Sequence, residues 1–542
     1  MIITQITLIT VLGTDIRQNF YKSFAFSILL AYTYICYILR KDFVITMSDF
    51  SQRLEKEIQN TGKTLCYLAE ASGLQLDYIS KMNKGKRIPK EEDRLVRLLD
   101  AMECTAGTKS DLLLLYRQEK MGTSQWQCME ELIHIIQQDV IEFPTVSASV
   151  SISDTPNTIS ILDNEFAIYS WIRKIMISTS DSEIYLWTSE ISSEHLHYLI
   201  QIIHEAPYQR LEHLFPLLQN QNADNTLDNL KKISILKPAM FCEGYEPFYY
   251  YITPSVSEEK KSGLLPNWLI TDNIALGINF QTSKGIIIRD TQQLQLLKHE
   301  FIREKMLARK MLFRSDLDSY VKDVNTMMSE GYVTHNYYIE YSPCLLHLIP
   351  ANILEQQIIL DTVEKETLLV SLSQRTRHME NENMVHIFCI SGLRQFMEEG
   401  RIAGYPDMLY KPFDPSLRLW LLKSYYQYML NTPHSCICVK ENFIHLPRHI
   451  SIVSSSNVNN GIAFWNNTSR GLQYYVLKES GFSQKLYEFC QFLDKGNMAW
   501  SEQENSGNYQ KYDFGIWRNV VIYVYQTTTD SLIIKFSKTP EK

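Results

Sequence analysis

The sequence predicts a multidomain protein in which a small all-α domain is followed by a large α/β region. The chain has 542 residues, more than one domain at roughly 150 residues per domain. Residues 47–121 carry apolar side chains three and four positions apart, interrupted by glycines, which is typical of short helices. Residues 161–542 alternate helical stretches with strand-like runs, as α/β folds do.

The composition excludes several classes of protein. Hydrophobic residues make up 45% of the chain and charged residues 21%, so disordered and collagen-like chains are excluded. The net charge of −8 argues against a protein that coats nucleic acid with its whole surface, so any DNA contact must come from one segment. The ten cysteines follow no disulfide spacing, which favours a reducing, cytoplasmic location.

Residues 1–46 form a hydrophobic extension that differs from the rest of the chain. The run from Ser23 to Leu39 is apolar or weakly polar and has basic residues on both sides. Its length is at the lower limit for a single transmembrane helix over residues 23–39, the one place where a membrane contact is predicted. A peripheral helix, or an extension upstream of a natural start at Met47, remains open.

Residues 47–121 predict five short helices. The first has Phe50, Leu54 and Ile58 on one face. Thr64 is a suitable N-cap for the second, and Gly73 provides the turn after it. The remaining three are predicted at Leu76–Lys84, Glu91–Glu103 and around Leu112–Tyr116.

Two short helices joined by a tight glycine turn form a helix-turn-helix unit. This segment resembles the DNA-binding domains of the lambda-repressor/Cro (XRE) family. The resemblance covers only the segment 47–121 and lies in Leu68-Ala69-Glu70, Gly73-Leu74, Tyr78-Ile79-Ser80-Lys81, Gly85-Lys86-Arg87 and Pro89.

The resemblance implies that the helix from Leu76 to Lys84 lies in the major groove of double-stranded DNA. The N-terminal residues of such a helix face base edges, and basic residues hold phosphates. Two positions depart from the family pattern, since Gln75 replaces the usual Ser or Thr and Leu76 replaces a polar residue. The implied DNA-binding residues are Thr64, Gln75, Leu76, Asp77, Tyr78, Lys81, Lys84, Lys86 and Arg87.

The local charge agrees with this interpretation. Residues 81–97 contain seven basic and three acidic side chains. The alternatives are a solvated helical domain and a protein-binding module of the same shape.

Residues 122–160 predict a linker helix and a Ser/Thr-rich linker. The helix carries apolar residues at alternating three- and four-residue spacing, namely Trp126, Met129, Ile133, Ile136 and Val140. This spacing is that of a coiled-coil seam but spans only two heptads. Two interpretations remain open, a helix docked on the next domain and the contact of a homodimer.

Residues 161–542 predict a sensor or effector region that is internally duplicated. Strands are predicted at Glu183–Thr188, Ile233–Leu236 and Tyr249–Ile252. The pattern from Leu265-Pro266 to Gly285, followed by a helix, recurs more loosely from Leu446-Pro447 to Gly471. Duplicated α/β folds include phospholipase D-like domains, whose catalysis needs His-x-Lys, and no histidine here has lysine two residues later.

Catalytic and metal motifs are weak in this sequence. It contains no Gly-rich phosphate loop, His-Glu-x-x-His or Gly-x-Ser-x-Gly. His434, Cys436 and Cys438 could bind zinc, but their spacing also fits core thiols on a strand. We therefore predict no catalytic, cofactor or metal site.

Together these observations predict a transcriptional regulator of the XRE type. It would bind double-stranded DNA as a homodimer and sense a small molecule or a protein through its C-terminal region. The alternatives are a membrane-tethered regulator and an enzyme domain fused to a DNA-binding module.

Overall fold

The computed structural model describes residues 48–138 and most of 158–538, the longest gaps in the latter being 254–263, 316–335, 371–383 and 496–509. The chain divides after Trp126 into two compact units. The predicted segment 23–39 lies outside the described residues. In the part that is described, no helix combines the length and apolarity needed to cross a membrane.

In the described residues of the first unit, five helices surround one apolar core. Phe50, Leu54, Leu68, Ile79 and Leu98 are among its buried residues. The helices are α1 (Asp49–Asn60), α2 (Leu65–Ser72), α3 (Leu76–Asn83), α4 (Glu92–Ala101) and α5 (Ala106–Met121). A sixth helix, α6 (Thr123–Gln137), passes from the first unit into the second.

The caps of these helices explain why they begin where they do. The side chains of Ser48, Thr64 and Thr105 each accept a hydrogen bond from a backbone N–H in the first turn of α1, α2 and α5. The ring of Phe50 lies 6.0 Å from that of Tyr116, joining the first and last helices of the unit. The hydroxyl of Tyr116 donates to the carbonyl of Pro89 at 3.1 Å and fixes the loop before α4.

The second unit begins with an eight-stranded mixed sheet in the order β1-β7-β6-β5-β2-β3-β4-β8. Strands β2, β3 and β4 are mutually parallel, whereas the other neighbouring pairs are antiparallel. The strands are β1 (Ile159–Leu162), β2 (Glu183–Thr188), β3 (Arg210–Leu218), β4 (Tyr245–Ile252), β5 (Asn267–Ile270), β6 (Ala275–Asn279), β7 (Lys284–Ile288) and β8 (Arg309–Lys310).

The described residues place four helices beside this sheet. Helix α7 (Glu165–Ser178) precedes β2, whereas α8 (Ser193–Glu205) and α9 (Ala223–Met240) join the parallel strands. Helix α10 (Thr291–Met306) follows β7 and packs on the sheet through Leu294 and Phe301.

A second mixed sheet has seven strands in the order β12-β11-β10-β13-β14-β15-β9. Its strands are β9 (Leu312–Ser315), β10 (Asn336–Glu340), β11 (Met384–Cys389), β12 (Ser435–Val439), β13 (Ile450–Ser455), β14 (Gly461–Thr468) and β15 (Gly471–Leu477). The helices described in this part include α11 (Ala351–Gln357), α12 (Ile390–Glu399), α13 (Pro415–Asn431) and α14 (Ser480–Lys495), with short 3₁₀ turns at Leu346–Leu348 and Asp407–Leu409. A three-stranded sheet of β16 (Gln510–Trp517), β17 (Val520–Gln526) and β18 (Leu532–Lys538) follows.

The two large sheets share one topology. The parallel strands β10, β11 and β12 take the places of β2, β3 and β4, and β13, β14 and β15 take those of β5, β6 and β7. The edge strands β1 and β9 correspond, since each pairs antiparallel with the last strand of its half. Helices α10 and α14 follow the same strand in each half, so the α/β region is an internal repeat, as the sequence pattern indicated.

The local predictions in this region had mixed outcomes. The structure confirms the strand at Glu183–Thr188 and places Tyr249–Ile252 within β4. The strand predicted at Ile233–Leu236 was wrong, because these residues lie in α9. Leu230 and Ile233 are buried three residues apart, on one face of the helix, and the side chain of Asn222 caps its start. The burial of this helical face outweighs the preference of isoleucine for strands.

Within the second unit, α6 docks on α9. Leu132, Ile135 and Ile136 are fully buried, and the Sγ of Cys128 donates to the carbonyl of Ala223 at 3.3 Å. Nδ1 of His134 lies 2.8 Å from the hydroxyl of Ser234. Of the predicted seam residues, Met129 and Ile136 are buried within the chain, whereas Trp126 and Ile133 are only half-buried. The docked face of α6 therefore coincides with the predicted seam only in part. The predicted end of the seam at Val140 lies outside the described residues.

Ile136→Ala should therefore destabilise the second unit. Removing a fully buried isoleucine side chain in a packed core costs about 2–5 kcal/mol of unfolding free energy. Chemical denaturation should show this loss, and it should not depend on protein concentration. Lys56→Ala, an exposed change on α1, is the control and should leave stability within about 0.5 kcal/mol. A concentration-dependent effect of Ile136→Ala would instead place the seam in a dimer contact.

Candidate functional site

The candidate nucleic-acid interface consists of α2, the turn after it, and α3. The hydroxyl of Thr64 accepts a hydrogen bond from the backbone N–H of Tyr67 at 3.2 Å and fixes the start of α2. Gly73 ends α2 with a φ of 68°, a left-handed conformation that favours glycine. Gln75 occupies the N-cap position of α3 but makes no side-chain capping bond, so its amide is exposed beyond the helix end.

Helix α3 is anchored by one face and exposed along the other. Tyr78, Ile79 and Met82 are buried in the core of the unit. The helix is closed by Gly85, whose φ is 65°, and by a hydrogen bond of 2.8 Å from the N–H of Lys86 to the carbonyl of Lys81. Because the buried face is held in the core, the opposite face of α3 is directed toward solvent. The exposed predicted site residues on and around α3 are Gln75, Leu76, Asp77, Lys81, Lys84, Lys86 and Arg87.

The charges on this face are only partly compensated. Lys81 pairs with Asp77 one turn earlier, at 2.7 Å between Nζ and Oδ2. Among the described residues, Lys84 and Lys86 have no ion-pair partner within 4.0 Å. These two lysines therefore give the C-terminal end of α3 uncompensated positive charge.

Two arginines pack against the side of Tyr78. The guanidinium of Arg87 lies 4.5 Å from the centre of the ring, and that of Arg94 lies 5.6 Å away. The carboxylate of Glu91 raises the pKa of Arg94, and the Tyr78 hydroxyl adds to this. The ring thus supports Arg87 at the edge of the surface.

Two of the predicted site residues have structural roles here. The side chain of Tyr78 is only 6% exposed, so it packs beneath the surface and positions Arg87. The hydroxyl of Thr64 is exposed but already caps α2. The amide of Gln75, the side chain of Leu76 at 44% exposed and the carboxylate of Asp77 remain on the outward surface.

The sequence prediction did not include Tyr67 in this surface. Tyr67 is half exposed on α2, and the Nζ of Lys63 lies 5.3 Å from its ring centre. Its position three residues after the N-cap Thr64 was the signal available in the sequence, since it places the side chain in the exposed first turn.

The candidate zinc residues in the second unit lie on β12. The side chains of Cys436 and Cys438 are half-buried and pack against the apolar core of the second half. His434 lies outside the described residues. Within the part of the chain that is described, no group of three or more His, Cys, Asp or Glu side chains could hold a metal ion.

The tyrosine-rich strand β4 contributes to packing. Tyr249 is buried, and the hydroxyl of Tyr251 donates to the carboxylate of Glu479, which also accepts from the N–H groups of Gly481 and Phe482 at the start of α14. A cavity of about 10 Å³ lies between the sheet and α7 and α8, lined by Leu186, Leu199 and Phe280 among others. This volume holds about one water molecule and no metabolite.

A buried polar group crosses the three parallel strands of the first half. His213 on β3 is fully buried, with Nε2 2.8 Å from the hydroxyl of Thr188 and Nδ1 2.8 Å from the hydroxyl of Tyr245. Burial, and to a lesser extent the nearby charge of Lys232, lowers the pKa of His213 to about 3. The imidazole is therefore neutral and joins β2, β3 and β4 through hydrogen bonds.

Comparisons with known proteins give distant structural likenesses. No protein-family description and no curated protein matches the chain. TrmBL2, an archaeal chromatin protein described as showing a novel mode of DNA binding, is 15% identical, with a TM-score of 0.21 over 29% of this chain and 56% of that one. Polyphosphate kinase from Porphyromonas gingivalis is 10% identical (TM-score 0.19, 66% of this chain and 51% of that one), and phosphatidylserine synthase from Haemophilus influenzae Rd KW20 is 11% identical (TM-score 0.19, 65% and 90%).

The chain thus spans about half the length of the first two of these structures. At these TM-scores the likenesses carry no argument about function, which has to come from the residues themselves.

The pKa of His213 predicts an acid-sensitive fold. Between about pH 6.5 and pH 3 the unfolded chain binds a proton at this residue and the folded chain does not. The unfolding free energy should therefore fall as the pH falls below 6.5, by up to about 1.4 kcal/mol per pH unit. Chemical denaturation of the wild type and of His213→Gln should show a shallower pH slope for the variant.

His299→Gln on α10 is the matched control, since that histidine is exposed. It should keep the slope of the wild type. Equal slopes for the wild type and His213→Gln would contradict a buried neutral His213.

Proposed function

We propose that the protein is a sequence-specific DNA-binding transcriptional regulator, with α3 as the helix that contacts bases. The observation that carries this proposal is the division of α3 into two faces. Tyr78, Ile79 and Met82 hold the helix to the core, whereas Gln75, Leu76 and Asp77 are directed outward at its N-terminal end. This agrees with the resemblance to the lambda-repressor/Cro family, in which the N-terminal residues of this helix face base edges.

The chemistry of the exposed residues fits DNA. A glutamine amide pairs with two groups of adenine, a carboxylate accepts from the amino group of cytosine, and an apolar side chain contacts the methyl group of thymine. Gln75, Asp77 and Leu76 offer these three kinds of contact within three positions. The lysines at the other end of α3 would bind phosphates and set the register of the helix.

The ion pair between Asp77 and Lys81 bears on how such a complex forms. Both side chains are exposed, so the pair contributes little stability and is easily exchanged. On DNA, Lys81 would move from Asp77 to a phosphate, which leaves the Asp77 carboxylate free to accept from a base. The pair therefore holds both side chains on the outward face before binding.

The rest of the chain fits a regulatory role in this proposal. The whole chain has a net charge of −8 although residues 81–97 are basic, so the acidic excess lies outside that segment. Because acidic surface repels DNA, we do not expect the second unit to extend the DNA contact. Helix α6 joins the two units and docks on α9, so the C-terminal region can act on the DNA-binding unit through this helix. A ligand or protein that binds two states of that region unequally would shift DNA affinity. We propose that it acts without catalysis.

Lys84→Ala and Lys86→Ala should each weaken binding to all DNA sequences alike. Each lost phosphate contact should reduce the slope of log affinity against log salt by about 0.9. Fluorescence anisotropy with the full chain at several salt concentrations would measure this. Lys56→Ala removes the same charge from the exposed side of α1 and serves as the control, with an unchanged slope expected. No binding of the wild type to genomic DNA at low salt would refute the proposal.

Gln75→Ala should change sequence preference more than overall affinity. The loss of a bidentate amide contact to adenine costs about 1–3 kcal/mol at one base position. Selection of bound sites from a random DNA library should then show relaxed preference at a single position. The same preference profile in the variant and the wild type would show that Gln75 makes no base contact.

A further inference from the structure

The two faces of the first sheet are covered to different extents. The face that carries Leu186 and Leu269 is buried under α7 and α8. The opposite face carries the side chains that alternate with these along the strands, and helix α10 packs on it through Phe301. Trp187 and Trp268 on this second face are only half-buried. The α10 face of the sheet is therefore partly open to solvent.

One row of residues crosses five strands of this open face. Trp187 on β2 lies opposite Trp268 on β5, which in turn lies opposite Gly277 on β6. Gly277 pairs with Ile286 on β7, and Ile286 pairs with Ile161 on the edge strand β1, where Ile161 is 72% exposed. Residues that lie opposite each other on paired strands have their side chains on the same face. We call these five residues the indole row.

Gly277 allows the indole of Trp268 to lie across the neighbouring strand. A Cβ atom at residue 277 would lie 2.7 Å and 2.9 Å from two ring carbons of Trp268. These distances are well below the contact distance of two carbon atoms, so any side chain at this position would push the ring away. Because residue 277 is glycine, the indole covers β6 and extends the apolar surface that begins at Trp187.

The internal repeat identifies the counterpart of this place in the second half. Ile286 and Tyr475 each lie two residues before the end of the strand that precedes the last helix of their sheet. Phe464 lies opposite Tyr475 as Gly277 lies opposite Ile286. Phe464 and Tyr475 therefore occupy the positions that Gly277 and Ile286 occupy in the first half.

In the second half an additional aromatic ring packs on this place. The rings of Phe464 and Tyr475 stack with their centres 5.2 Å apart. Phe241, just after α9, places its ring centre 4.8 Å from that of Phe464 and 6.5 Å from that of Tyr475. All three side chains are buried. The fold thus receives an aromatic ring at this register of one sheet, whereas the indole row is half-exposed at the same register of the other.

The chemistry of the indole row favours an uncharged ring system. None of its five residues bears a charge, so an ionic group placed on it would lose its water without gaining a partner. An aromatic ring gains from stacking on an indole beyond the area that it buries. Paired strands lie about 4.8 Å apart, so the distance from Trp268 to Ile286 is about 10 Å and accommodates two or three fused rings.

We propose that the indole row binds an uncharged small molecule with fused aromatic rings, stacked on Trp268 and bordered by Trp187 and Ile286. This inference deepens the proposed function, because such a molecule would be the effector that the C-terminal region senses. Its regulatory meaning rests on that function, whereas the binding itself does not.

The test uses N-phenylnaphthylamine, an uncharged aromatic probe whose fluorescence rises in apolar surroundings. Titration of the full chain without DNA should show saturable binding of one probe per chain. Trp268→Leu removes the stacking ring and should raise the dissociation constant of the probe roughly ten-fold. Trp420→Leu is the matched control, since Trp420 is an exposed tryptophan in the second half, and it should keep the wild-type affinity.

Gly277→Ala provides a second variant that retains both indoles. Its Cβ atom displaces the ring of Trp268, so the probe should again bind roughly ten-fold more weakly. Far-ultraviolet circular dichroism would verify that each variant is folded, and Gly277→Ala decides the test if Trp268→Leu does not fold.

A wild type that shows no saturable binding of the probe would overturn the inference, and this is the result expected if the row instead takes an aromatic side chain of a partner protein. Unchanged affinity in the folded Trp268 and Gly277 variants would overturn it as well. Loss of binding in Trp420→Leu alone would place the probe on the second half and also contradict the inference.

The outcome is separate from that of the DNA experiments. A chain that binds the probe but no DNA would refute the proposed function alone. A chain that binds DNA but not the probe would refute the aromatic site alone.

Discussion

The buried ammonium of Lys237 holds together the parts of the second unit. Its Nζ lies 2.6 Å from the carbonyl oxygens of Ile135, in the last turn of α6, and of Gln138, just after it. The same group lies 5.8 Å from the ring of Phe241 and 5.9 Å from that of Phe464. A buried charge is tolerated only when its surroundings compensate it, and here the negative end of a helix and two ring faces do so. One lysine thus joins the linker helix to both halves of the repeat.

This junction gives a physical basis for communication along the chain. If the two halves shift, Phe241 and Phe464 move relative to each other, and the cap on α6 changes with them. Because α6 leads back to the first unit, such a change would reach the proposed DNA-binding surface through a single helix. The small cavity between the sheet and α7 and α8 holds about one water molecule, so it is not the place where a ligand of the proposed regulator would bind.

The sequence predicted best the features that depend on neighbouring residues. The bounds of α2 follow from the capping hydroxyl of Thr64 and the left-handed Gly73, both of which act locally. The exposed residues of α3 could be predicted for the same reason, because helical spacing separates them from Ile79. The repeat was detectable since its strands and final helix recur in order along the chain.

What the sequence could not provide depends on contacts between distant segments. Ile233 looks like a strand residue by itself, and only the packing of α9 shows otherwise. Tyr78 resembles a DNA contact until the core and Arg87 enclose its ring. The apolar spacing on α6 fits a dimer contact as well as a helix docked within the chain. The contact that indicates docking joins Lys237 to Gln138, 99 residues earlier in the sequence.

That separation has a consequence for biosynthesis. A ribosome adds about 5–20 residues per second, so α6 is made roughly 5–20 seconds before the lysine that caps it. During this interval Leu132, Ile135 and Ile136, fully buried in the finished protein, have no docking surface on α9. The nascent chain therefore presents an apolar helix next to an already complete first unit. Apolar surface that is exposed during synthesis is prone to aggregation, so this helix is at risk until α9 has been made.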